Sequence, residues 1–389
     1  MSDRLKELLP RFALSVFLCF ILLSLTAFRL PPRITAEQRT FRNLALEFVD
    51  QYDLPQTTFQ DTVVGGLSAI AYNREQDLCY VLSDDRSAKA PARFYTFQLK
   101  VKTTEDGALK IASFEPKDLT ILRDESDQPY TKGTIDPEGL ALSPRNTIFI
   151  SSEGNPTQGV EPFLGEFELA TGKKLGELRL PQRYLAGEEP VQPRGVQENL
   201  AFESLTINRT GLPADPFRVF TATESALLQD ESFAGEEQAR IRLLHYVVNP
   251  VGNPVLLAEH LYLLEPTPPE VIANGLTELL ALQTEGYFLS LERTFGFEGA
   301  GAKIFQVVIG NATDTSTIES LKGEIEQVQP LKKKLLLDLT DLGLYIDNLE
   351  GMTQGPQLPD GSPSLLLISD DNFSEEQTSQ LWLFRLVEN

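Results

Sequence analysis

One pattern recurs five times along the chain and restricts what it can fold into. The segments GGLSAIAYNREQDLCYVLSDDR from residue 65, DPEGLALSPRNTIFISSEGN from 136, AFESLTINRTGLPADPFRVFTATES from 201, GLTELLALQTEGYFLSLER from 275 and NLEGMTQGPQLPDGSPSLLLISDDN from 348 align with one another. Each carries an apolar run, a turn rich in Asn, Pro, Gly or Asp, and a second apolar run that ends in an acid. Short apolar runs bounded by such residues predict β-hairpins, and SPRN, LPADP and LPDGSP place Pro, Asp and Gly where tight reversals need them.

Two further strand-like runs follow each hairpin: RFYTFQLKV and LKIASFE, FLGEFELA and KLGELRL, IRLLHYVVN and PVLLAEHLYLL, then KIFQVVIG and KKKLLLDL. After the fifth hairpin only SQLWLFRLV remains before Asn389, so one strand is missing there. An orphan strand, NLALEFVDQY at 43–52, stands upstream of the first hairpin. Sequential four-stranded modules completed by an N-terminal strand predict an all-β fold, a β-propeller whose radial repetition protects its edges. Five blades are counted, and the long insertions leave room for a sixth. The period of about seventy residues exceeds an ordinary blade of about 40–50. Loops must carry the excess, and the longest irregular stretches, 113–135, 181–200, 228–239 and 265–274, are expected on one face of the propeller.

Because paired strands are antiparallel, the start of the first strand and the end of the second meet at one end of each hairpin. The first place reads Ser68, Glu138, Glu203, Thr277 and Glu350; the second reads Asp85, Glu153, Glu224, Glu292 and Asp371. With the first strands lining a central channel, these sets form two polar rings at one mouth. So many carboxylates repel one another unless a cation is bound. Oxygen donors without thiols or nearby histidines suit Ca²⁺ better than Zn²⁺. Asp85, Glu153, Glu224, Glu292, Asp370 and Asp371 are therefore the expected metal ligands. Glu138, Glu203 and Glu350, with Arg86 and Arg293 to hold an anionic group, are the expected catalytic set. Acids at strand ends also cap turns, so a purely structural role is the competing expectation.

The remaining composition narrows the function. With 34 basic against 56 acidic residues the net charge is −22, which disfavours a nucleic-acid partner. His245 and His260 lie in apolar third- and fourth-strand runs, so a Ser-His-Asp machine has little support. Cys19 and Cys79 make no disulfide framework. Residues 12–28, FALSVFLCFILLSLTAF, are uncharged and apolar, and Arg4, Lys6 and Arg11 precede them. This apolar helix within residues 1–33 is expected to target a membrane, as a cleaved signal or a retained anchor, with residues 34–389 exported as the propeller.

GGLSAIAY with VLSDDR and PARFYTF, IDPEGLALSP with ISSEG, NLAFESLTI, and DNLEGMTQGPQLPDGSPSLLLISDDNFS with LWLFRL resemble the esterase-like phytase family of bacterial exported proteins. The resemblance covers roughly residues 60–389. It implies a β-propeller, an exported location, a calcium requirement and a small anionic phosphoester or ester substrate. Basic residues expected of a phytate pocket are few, with Arg123, Lys132 and Arg194 the available ones, so a hexakisphosphate fits this chain poorly. A Ca²⁺-dependent lactonase and a non-catalytic extracytoplasmic binding propeller are the alternatives. The oligomeric state is not legible.

Overall fold

The structure, a computed structural model, describes residues 40–187, 193–208, 212–231, 238–297 and 299–388. The chain divides into two units, residues 1–42 and 43–389. The apolar run at 12–28 lies outside the described residues.

The second unit is built from five four-stranded antiparallel sheets. The first contains β4 (Leu67–Asn73), β5 (Leu78–Ser83), β6 (Arg93–Thr103) and β7 (Leu109–Ile121). The second contains β8 (Pro137–Leu142), β9 (Thr147–Ser152), β10 (Phe163–Glu168) and β11 (Lys174–Leu178). The third contains β12 (Phe202–Asn208), β13 (Phe217–Thr223), β14 (Arg240–Val248) and β15 (Val255–Leu263). The fourth contains β16 (Val271–Ala281), β17 (Tyr287–Gly296), β18 (Gly299–Val308) and β19 (Lys332–Asp338). The fifth contains β20 (Asn348–Gln354), β21 (Ser364–Asp370) and β22 (Gln380–Glu388), completed by β1 (Leu44–Asp53).

The orphan N-terminal strand thus pairs with the last strand, from Leu44 opposite Glu388 to Asp53 opposite Gln380. The first strands pack on one another in a closed cycle, β4 on β8, β8 on β12, β12 on β16, β16 on β20 and β20 on β4. The architecture is a five-bladed β-propeller with these strands around the channel. A small ribbon of β2 (Thr57–Phe59) and β3 (Thr62–Val64) links β1 to the first blade. Within residues 43–388, helical structure among the described residues is confined to short 3-10 turns.

The energetic reason for the ring is visible in its seams. Five apolar clusters fill the five junctions between neighbouring blades. Middle strands such as β5 and β21 are covered on both faces, which is why LCYVLS and SLLLISD read as near-continuous apolar runs instead of alternating ones. At the closing blade, Phe48 of β1 meets Trp382 and Phe384 edge-on at centroid distances of 5.8 and 5.7 Å. Those contacts bind the first strand of the chain to its last.

Three stretches differ from expectation. Residues 113–121 and 271–274, read as irregular, continue β7 and begin β16. Residues 309–331, between β18 and β19, run along the outer edge of β15, where Thr315 N–H donates to Glu259 O and Leu331 N–H to Leu261 O, both at 2.8 Å. This segment caps an otherwise open strand edge. Buried Arg242, which bridges Asp230 at 2.5 Å and Glu259 at 3.2 Å, secures it by donating to Thr315 O at 3.5 Å and Glu319 O at 3.4 Å.

Candidate active site

The site begins with a repeated irregularity in the first strands. Pairing between the first and second strands slips by one residue in every blade: between Leu67 and Ala69, Pro137 and Leu140, Phe202 and Ser204, Leu276 and Glu278, and Leu349 and Gly351. The extra residues are Ser68, the Glu138–Gly139 pair, Glu203, Thr277 and Glu350. A β-bulge of this kind re-aims a side chain out of the sheet's alternation. Glycine after the bulge lets neighbouring first strands approach: a Cβ on Gly139 would lie 2.2 Å from Glu203 O, and one on Gly351 2.9 Å from Ala69 Cα.

The same registers identify the partner position on the second strand. The residues paired at the level just before each bulge are Ser83, Ser152, Thr223, Glu292 and Ser369. The residues that follow them are Asp84, Glu153, Glu224, Arg293 and Asp370. Four blades thus present a carboxylate here, and the fourth presents a guanidinium. Two residues before the bulge stand Asp136 in the second blade and Asn348 in the fifth, and both join the network.

Arg293 is the hub. Its Nη1 lies 2.6 Å from Glu350 Oε1 and also donates to Asn348 Oδ1, and its Nη2 lies 3.2 Å from Glu224 Oε1. Asn348 Nδ2 donates to Glu350 Oε1 at 2.8 Å. On the other side Arg86 Nε meets Asp136 Oδ1 at 2.6 Å while its Nη2 donates to Asn199 Oδ1 at 2.8 Å. Glu153 Oε1 accepts the Ala201 N–H at 2.5 Å.

Two guanidinium groups do not neutralise this many acids. Burial pushes Asp84 up to about 8, with repulsion from Glu350, Asp136 and Asp85 adding to it and Arg86 opposing. Glu153 is likewise raised to about 8 by burial and by Asp136 and Glu224. Asp136 rises to about 6, burial being partly offset by Arg86. Burial first, and neighbouring carboxylates second, hold Glu138, Glu203 and Asp370 well above the ordinary range. Glu350 is raised by burial although Arg293 pulls it down. These residues repel one another across four blades, so they share one site.

The expected residues fall into two groups. Glu138, Glu203, Glu350, Glu153, Glu224, Asp370, Arg86 and Arg293 converge on this network. Asp85, Glu292 and Asp371 do not. Asp85 pairs with fully buried Arg93 at 2.8 Å and accepts the N–H groups of Ala88, Lys89 and Ala90; these outweigh burial and lower its pKa. Glu292 accepts from Tyr262 Oη at 2.5 Å and pairs with Lys333 Nζ at 2.6 Å. Asp371 Oδ1 accepts the Gly66 and Phe373 N–H groups. Asp84, Asp136 and Asn348 were not singled out from the sequence. The signal for the last two was the column two places before the bulge, Asp136 in DPEG aligning with Asn348 in NLEG. Both histidines sit in the outer half of the third blade, His245 stacked on Phe220 and His260 bonded to Thr313 O.

The donor set suits a cation. Asp136, Glu138 and Glu153 each offer a carboxylate oxygen within 4.8 Å of the others. Asp84 Oδ1 and Glu203 Oε2 are buried without a hydrogen-bond partner, a costly state that a cation would relieve. This buried acidic cluster could hold a metal ion.

Residues 62–373 match the phytase-like family, described by the esterase-like activity of phytase. The chain belongs to the phytase-like family. No curated protein matches its sequence. Among solved structures, a GH32 β-fructofuranosidase of Bombyx mori is similar at 11% identity and TM-score 0.38, over 88% of this chain and 62% of that one. Hydrazine synthase of Kuenenia stuttgartiensis is similar at 12% identity and TM-score 0.34, over 81% of each chain. The Pan2 WD40 domain of Neurospora crassa is similar at 8% identity and TM-score 0.34, over 89% of this chain and 97% of that one. These distant likenesses say nothing of what this phytase-like chain does.

Proposed function

We propose that this phytase-like propeller hydrolyses small anionic esters or phosphoesters with the help of a divalent cation, Ca²⁺ by its donor set. The observation that carries the reading is the set of bulges that turn Glu138, Glu203 and Glu350 toward the strand-end acids of neighbouring blades. Asp136, Glu138 and Glu153 would hold the cation, with Asp84 and Asp370 adding oxygens; an all-oxygen set is the preference of Ca²⁺. When bound, such a cation supplies polarisation of a phosphoryl or carbonyl oxygen.

The chain's own residues supply the rest. Arg86 keeps Nε on Asp136, but its side chain is 40% exposed, leaving N–H groups to orient an anionic oxygen of the substrate. Glu203, with Oε2 unpartnered, positions water and takes its proton there. Arg293 acts as a positioning residue, holding Glu224 and Glu350 in place. The apolar run at 12–28 supports action on the extracytoplasmic side of a membrane, with that run as anchor or signal.

The test is a panel of phosphomonoesters, phosphodiesters, carboxylic esters and lactones given to the full chain with Ca²⁺ and with EDTA. Turnover of at least one anionic ester, lost with EDTA and restored by Ca²⁺, is expected. Turnover indifferent to chelation, or saturable binding without turnover, contradicts the proposal. Protease accessibility of the propeller in intact cells and spheroplasts tests the location.

A further inference from the structure

A second concavity lies at the seam where β1 closes the propeller. Its volume is about 380 Å³, which lies within the range of small-molecule sites. Half-buried Tyr52 of β1 is its aromatic lining, and Phe97 and Phe114, 1% and 3% exposed and stacked on each other with ring centroids 4.4 Å apart, back the wall. Asp371 and Glu375, from the connection between β21 and β22, bring carboxylates to the same cavity. Asp371 uses only Oδ1 for the Gly66 and Phe373 N–H groups. No lysine, arginine or histidine is among the described residues that line it. Lys117 is engaged with Glu115 at 2.9 Å. Ser379 lines the cavity at 5% exposure, and its Oγ has no hydrogen-bond partner.

We propose that this cavity binds a small organic cation, an ammonium or amidinium group carried on an apolar or aromatic body. The half-buried Tyr52 ring attracts a cation and accepts an apolar body, carboxylates balance the charge, and an unpartnered hydroxyl accepts an N–H. A bare metal ion leaves the aromatic wall unused, and an anion meets only negative charge. The ligand therefore differs in sign from the substrate of the carboxylate ring. An occupant touches both ends of the closing seam, since Leu54 N–H donates to Ser379 O at 2.8 Å and Tyr52 belongs to β1.

Calorimetric titration of the full chain, in saturating Ca²⁺, with phenethylammonium, 2-phenylethanol and phenylacetate tests this. The ammonium should bind roughly tenfold or more tighter than the alcohol and raise the melting temperature, and the carboxylate should not bind. Glu375→Gln, an exposed change, should weaken the ammonium severalfold without affecting ester hydrolysis, and Asp371→Asn should weaken the ammonium severalfold as well. Equal binding of ammonium and alcohol, no binding of the ammonium at millimolar concentration, or unchanged affinity in both variants overturns the proposal. Displacement of the ammonium by added Ca²⁺ would place it in the carboxylate ring and overturn it equally.

Discussion

Arg293 Nη1 lies 2.6 Å from Glu350 Oε1, joining the fourth blade to the fifth across the channel mouth. Its register makes it the counterpart of Asp84, Glu153, Glu224 and Asp370, so one blade gives a cation where its siblings give acids. The ring is thereby held asymmetrically, with Arg293 on one side and the less engaged group around Asp136 and Glu138 on the other.

Arg293→Met removes that internal counter-charge and leaves Glu224 and Glu350 without a cationic partner. In EDTA the loss is expected at about 3–5 kcal/mol by denaturant titration, the usual result of breaking one side of a buried pair. Added Ca²⁺ should recover part of it. A variant as stable as the parent in EDTA would mean that Arg293 is not the hub.

The pH dependence follows from the raised carboxylates. A group whose folded pKa lies above its unfolded value binds more protons in the native state. Its stabilisation is complete below the unfolded pKa of about 4 and is lost as pH rises through the folded value. Asp84 and Glu153, at about 8, and Asp136, at about 6, put the window between about pH 4 and pH 8. The metal-free protein is expected to melt lower at the alkaline end of that window, and the gain from Ca²⁺ to be larger there. Melting temperatures with and without EDTA across the window check both signs.

Glu203→Gln keeps the shape of the bulged side chain and removes its proton acceptor. Turnover is expected to fall on the order of 100-fold or more with a cooperative melt retained. Glu292→Gln should behave oppositely, losing about 1–3 kcal/mol through its contacts to Lys333 and Tyr262 while turnover persists. Steady-state kinetics and melting of the two variants separate these outcomes.

The contrast between those glutamates also marks where the sequence stops being legible. Strand number and ring closure could be read because apolar runs and turns repeat, and because NLALEFVDQY lacked a partner. The mouth as a meeting place of acids could be read from recurrence. Which of two adjacent residues turns inward could not. SDDR, LER and SDDN each offer neighbours that strand alternation sends to opposite sides, and a one-residue bulge in the facing first strand shifts which of them comes level with the site without a mark in composition. Asp85 is drawn aside by Arg93, which comes from β6, and Glu292 by Lys333 of β19; such partners are visible only once the blades are stacked.

Removing residues 1–53 deletes β1, exposing the edge of β22 and the faces of Trp382 and Phe384 that Phe48 covers. The truncated chain is expected to lose its cooperative transition or to aggregate through the open edge. A soluble product with an unchanged melt would argue against closure by this strand.

Calorimetric titration of Ca²⁺ into chelator-treated protein asks the central question most directly, with the parent compared to Asp136→Asn and Glu138→Gln. Saturable binding accompanied by proton release, weakened roughly tenfold or more in each variant, is the predicted result. Absence of binding, or equal affinity in all three proteins, would contradict a shared cation site at the mouth.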